Sequence, residues 1–164
     1  MPISSVGRTR DPARAGVTLV EMLVVVALVS LMVGISFPAL SSGVDSLRLN
    51  SATTSIVTFL NSGLDRAERR QQVVEITILK AANALEMRST DEKFFRKLDL
   101  PDGVSIVRIL PDLPENSNGP RTFLLYPGAS PPRLGVQLVN RRNVERIVRV
   151  DPITGVPRVE QAEP

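Results

Sequence analysis

The 164-residue chain has no cysteine and no histidine. The first absence excludes a disulfide framework, and the two together exclude a Cys/His zinc centre and any nucleophile activated by an imidazole. Lysines are confined to Lys80, Lys93 and Lys97, in segments that read as strand or loop, so no nucleophile with its base is visible and the chain is not expected to be an enzyme. No cofactor is implied. A single tyrosine, Tyr126, offers little for stacking nucleic-acid bases. The lack of cysteine is compatible with a reducing or an oxidising compartment, so location has to be read from the N-terminus.

What is present is unevenly distributed. Hydrophobic residues make up 43% of the chain, enough for one small domain and one membrane-length segment, and most of residues 17–40 are aliphatic. Ahead of them, residues 1–16 (MPISSVGRTRDPARAG) form a polar leader carrying Arg8, Arg10 and Arg14 against Asp11. The 21 residues from Val17 to Phe37 would give about 30 Å of helix, the thickness of a bilayer core. The small-residue pair Ala15-Gly16 lies before the apolar run, so cutting there would leave the hydrophobic segment on the mature protein, unlike an ordinary secretory signal. With the arginines on the N-terminal flank, the positive-inside rule puts the leader in the cytoplasm and the C-terminal part outside.

Glu21 is the anomaly in this run. A carboxylate near the edge of a spanning helix costs about 1 to 3 kcal/mol and asks for a partner. Cutting after Gly16 would create one, because the new α-amino group of Val17 is a positive charge at nearly the same depth, and that of a neighbouring subunit could reach Glu21. The alternative is a simple signal anchor with Glu21 hydrated or protonated at headgroup level.

Gly16-Val17-Thr18-Leu19-Val20-Glu21, with a basic leader before it and an aliphatic run after it, resembles the class III signal of type IV pilins and type II secretion pseudopilins. The resemblance implies that a prepilin peptidase cuts after Gly16 and N-methylates Val17, and that Glu21 serves assembly; Val17 stands where the family most often has Phe or Met. It further implies partners: other pilins or pseudopilins through the N-terminal helix, the peptidase, and an inner-membrane assembly platform. The protein would be a single-pass inner-membrane subunit with its head in the periplasm, assembled into a periplasmic filament.

Pro38 adds to the match. It lacks an N–H and crowds the carbonyl of Gly34, which predicts a kinked or locally melted helix there, or simply its end. Helical spacing resumes at Leu49, Ala52, Ile56, Leu60, Leu64 and Ala67, an apolar stripe opposite Asn50, Ser51, Thr54, Asn61, Asp65 and Glu68. The cluster from Asp65 to Arg70 reads as a solvated helix end with Arg69 and Arg70 near the C-terminal dipole.

After Gln72 the period becomes strand-like. Strands are expected over 73–79, 84–88, 93–98, 104–110, 122–126, 135–139 and 144–150, divided by Pro- and Gly-rich loops. The expected fold is α+β: a long N-terminal helix whose C-terminal half packs on an antiparallel β-sheet head, with a leader (1–16), a transmembrane and assembly helix (17–40), its amphipathic continuation (41–72) and a β-rich head (73–164). Three head segments, 101–106, 123–130 and 147–155, resemble the strand and turn landmarks of the GspH/FimT branch, which implies a minor pseudopilin or minor pilin.

Two other groupings compete for a function. Asp112, Glu115, Asn116 and Asn118 could offer oxygen ligands to calcium, but their spacing lacks the alternation of a calcium loop and favours a polar loop. Arg141, Arg142, Arg146 and Arg149, with Arg133 and Arg158, could contact DNA phosphates, as a minor pilin for DNA uptake would require. Interspersed Glu145, Asp151, Glu160 and Glu163 favour solvated strand faces instead.

Overall fold

The computed structural model describes residues 17–91, 93–112 and 119–161, of which 36–42 are described by their backbone alone. Among the described residues one helix, α1 (Leu19–Arg70), is followed by eight strands: β1 (Val74–Leu79), β2 (Ala84–Ser89), β3 (Phe95–Asp99), β4 (Val104–Leu110), β5 (Arg121–Leu125), β6 (Gly135–Asn140), β7 (Glu145–Val150) and β8 (Pro157–Gln161). The chain divides into two compact units, residues 1–39 and 40–164.

Within the second unit the apolar stripe of α1 is the inner face of the head. Leu49, Ala52, Ile56, Leu60 and Ala67 are buried and Leu64 packs against them at the margin, while all six residues of the expected polar face are exposed. Gly63 explains how closely the helix approaches the sheet. A Cβ at that position would lie 3.0 Å from Met87 Cε and 3.3 Å from both Ile76 Cδ1 and Leu125 Cδ1, side chains of β2, β1 and β5. The helix ends in a Schellman-type closure, with Gln71 in the left-handed region (φ 52°) and the Gln72 N–H donating to the Ala67 carbonyl. Arg69 and Arg70 occupy the last turn as expected from the dipole.

The head differs from the expected pattern in two respects. Its strands form two antiparallel four-stranded sheets, in the orders β3-β2-β1-β5 and β4-β6-β7-β8. Val74, Ile76, Ile78, Leu85 and Met87 of the first sheet and Val104, Ile106, Val136, Leu138 and Val148 of the second belong to one core with the helix stripe. Alternation reveals which face of a strand is buried and is silent about which sheet the strand joins. The eighth strand was not expected at all: Pro157 is buried, but every residue from Arg158 to Gln161 is exposed, so this edge strand carries no apolar alternation.

Two polar contacts tie the sheets together. Asn83, in the left-handed region at the β1–β2 turn (φ 48°), accepts the Ile106 N–H of β4 on its Oδ1 at 2.9 Å. Arg121 of β5 donates through Nη1 to the carbonyls of Ile109 and Pro111, each at 2.6 Å.

Candidate functional site

The N-terminal unit owes its geometry to Thr18. Its Oγ1 accepts the Glu21 N–H at 3.2 Å and its carbonyl accepts the Met22 N–H at 3.2 Å, so Thr18 caps the helix and Glu21 stands in the first turn as the N3 residue. A carboxylate there is favoured by the exposed N–H groups and the positive end of the dipole. Glu21 thus has a local physical role as well as the one implied by assembly, and the T-x-x-E spacing was the signal that could have shown it.

Beyond the cap, every described side chain from Val17 to Ile35 is exposed, including Val17, Leu19, Val20, Leu23 and Leu31. A predominantly aliphatic helix whose described side chains are all exposed asks for apolar surroundings or a partner. Ser30 is not a polar gap in it, because its hydroxyl donates to the Val26 carbonyl at 2.7 Å. Gly34 is open on all sides, and a Cβ placed there would meet nothing within 4 Å. α1 is continuous through Pro38, whose side chain lies outside the described residues, as do Gly16 and the leader. Among the described residues no helix is long and apolar enough to cross a membrane, and the Phe37 side chain at the end of the expected span lies outside the described residues.

Residues 11–37 match the family model of the prokaryotic N-terminal methylation motif. This match supports a type IV pilin-like chain that is processed by a prepilin peptidase and assembles with other pilins. It covers the expected cleavage position, Val17 and Glu21, and leaves the head outside it. No curated protein and no solved structure matches the chain.

The competing groupings fare differently. Arg141 and Arg142 sit in the exposed β6–β7 turn, shaped by Asn140, whose Oδ1 accepts the N–H groups of Arg142 and Val144 at 2.9 Å each. Arg146 and Arg149 both lie on β7, but their odd separation puts them on opposite faces: Arg146 shares the side of buried Val148 and Val150, and Arg149 points away. Arg149 and Arg158 stand directly opposite each other on β7 and β8, with Glu160 and Asp151 as their respective carboxylate partners, each at 3.9 Å. The six arginines therefore do not form one phosphate-binding face. In the calcium grouping, Asp112 is engaged by Arg108 at 3.3 Å, and Glu115, Asn116 and Asn118 lie outside the described residues. Among the described residues no group of three or more acidic side chains could hold a metal ion.

The cluster read as a solvated helix end does more than that. Arg66 stacks on the Phe94 ring, 3.6 Å from its centroid, and donates to Ser89 Oγ and Asp91 Oδ2 at 3.3 Å each. Glu68 accepts the Gly128 N–H at 3.0 Å, and nearer the middle of the helix Arg48 donates to the Asp102 carbonyl at 3.2 Å. Three loops of the head are thus pinned to one helix. Only the tertiary fold brings them there, so no local pattern in the sequence announces these pairs.

Proposed function

We propose that this chain is a structural subunit of a pilin-like filament, a minor pseudopilin of the GspH/FimT type in a type II secretion system. The observation that carries the reading is the methylation motif at residues 11–37, with Glu21 in the fifth position of the chain that a cut after Gly16 would leave. The precursor inserts with its leader in the cytoplasm, the segment from Val17 to Phe37 spans the inner membrane, and the head faces the periplasm. After processing, the exposed aliphatic helix moves from lipid into a helical filament, exchanging one apolar environment for another. Glu21, held in the first turn by the Thr18 cap, meets the methylated amine of a neighbouring Val17 and so makes entry into the filament favourable where it was costly in lipid.

The head contributes shape and contacts, not chemistry; the energy for extraction comes from a cytoplasmic ATPase acting through the membrane platform. The reading is tested by the N-terminal mass of the protein recovered from membranes with and without a prepilin peptidase. A peptidase-dependent chain beginning at Val17 is expected. An unprocessed Met1 chain in both backgrounds would reduce the protein to an anchored domain.

A further inference from the structure

The outer face of the second sheet carries a built hollow. One cross-strand row runs from Leu110 on β4 through Gly135 on β6 and Arg149 on β7 to Arg158 on β8. Gly135 is required in that row by crowding: a Cβ there would meet Leu110 Cβ at 3.1 Å and Cδ1 at 3.3 Å, so Leu110 packs directly over the glycine. Beside Leu110 lies a cavity of about 340 Å³, with Leu110, Pro111 and Pro152 as its accessible apolar walls, buried Leu134 beneath them, and Arg133 and Arg149 as its charged lining.

The walls are fixed in advance. The Arg121 guanidinium holds the Pro111 carbonyl, and the Val150 N–H donates to the Leu134 carbonyl at 2.8 Å. Pro152 is held by its neighbour: Asp151 accepts the N–H groups of Ile153 and Thr154 on Oδ1 at 2.8 and 3.1 Å. These backbone bonds, ahead of the nearby Arg158 charge, keep the Asp151 carboxyl below its ordinary value, so it stays a committed anion of the turn. The two cations of the hollow differ in how they are engaged. Arg149 has Glu160 at 3.9 Å, a long and half-exposed pair, and Arg133 is exposed with no ion pair among the described residues.

An apolar cleft of side-chain size lined by two guanidiniums selects for an apolar group next to an anion. We propose that this hollow is a docking site for a segment of another protein that presents an aliphatic side chain beside a carboxylate, the aliphatic group resting against Leu110, Pro111 and Pro152 and the carboxylate meeting Arg133 and Arg149. A peptide carboxylate fits better than a nucleic-acid phosphate, because no aromatic side chain lines the hollow to stack a base and Glu160 and Asp151 stand near its rim. The site does not depend on the filament reading: it would serve an anchored domain equally.

The test uses the full chain in detergent micelles with methyl groups labelled for NMR, titrated with the peptide acetyl-Gly-Ser-Gly-Leu-Glu, the same peptide with Gln and an amidated terminus, and oligothymidine. The expected result is movement of the Leu110 methyl signals with the carboxylate peptide, about ten-fold weaker binding of the uncharged one, and loss of binding in Arg133→Glu and Arg149→Glu. Arg133→Ser, outside any strand, decides the matter if Arg149→Glu disturbs the Val136 and Leu138 signals of the core. Equal binding of the two peptides, no movement at the hollow, or salt-sensitive movement with oligothymidine alone would overturn the proposal.

Discussion

Thr18 and Glu21 separate two roles that one carboxylate can carry. As the N3 residue of a capping pair, Glu21 can be replaced by Gln at little cost to the helix start, because both side chains suit that position. As the counter-charge of a neighbouring amine it cannot be replaced by a neutral amide. Glu21→Gln is therefore expected to insert and be processed yet stay out of filaments, whereas Thr18→Ala should lose about 1 kcal/mol of first-turn stability and still assemble. Co-assembly assays and amide exchange of residues 19–22 read the two effects; normal assembly of Glu21→Gln would leave the carboxylate with its capping role alone. Asn83 is the corresponding residue of the head. Its side chain satisfies an N–H of the other sheet while its backbone sits at positive φ. Asn83→Ala should cost about 1–3 kcal/mol through the lost bond plus about 1 from the backbone, and Asn83→Gly only the first part, measured by urea unfolding. At Asp151 the depressed carboxyl gives a pH signature. Its contribution is complete above the ordinary aspartate range and is lost as pH falls through the lowered folded value, so wild type and Asp151→Ser should differ in stability at neutral pH and converge in acid.

At the scale of elements, α1 carries the decisive contacts through a face that mixes large and absent side chains. Gly63→Ala sets a helix-propensity gain of up to about 1 kcal/mol against contacts at 3.0 to 3.3 Å with the flexible ends of Met87, Ile76 and Leu125, and is expected to be nearly neutral. Gly63→Val has no such balance and should destabilise by about 1–3 kcal/mol in thermal unfolding; a neutral result would mean that the helix and first sheet can separate slightly without loss. The stripe from Leu49 to Ala67 and strands β1, β2, β4, β6 and β7 were legible in the sequence because each element has one buried face, which imprints a period of 3.6 or 2. Phe59 and Gly63 complete the inner face without belonging to that stripe, and β8 has too little buried surface to leave a pattern. The partners of Arg66, Glu68 and Arg121 were illegible for another reason: each reaches a residue 10 to 60 positions away, chosen by the fold and not by spacing. The N-terminal methylation motif was legible because its signal is contiguous and needs no tertiary structure to be read.

At the scale of the whole molecule, the two units differ in what they need from their surroundings. Among the described residues no core residue precedes Leu49, and the buried cluster runs from there to Val150. The first unit, by contrast, exposes every described side chain from Val17 to Ile35. Stability of the head should then be independent of residues 1–39, while solubility of the chain should be governed by them. A fragment comprising residues 40–164 is expected to be soluble without detergent and to unfold cooperatively within about 4 °C of the head transition of the full chain in micelles, the shift that a change of no more than about 1 kcal/mol allows in a domain of this size. Circular dichroism followed against temperature checks this directly. Loss of the cooperative transition in the fragment would mean that residues 1–39 also support the head, so that a change in what surrounds them would be felt by the head.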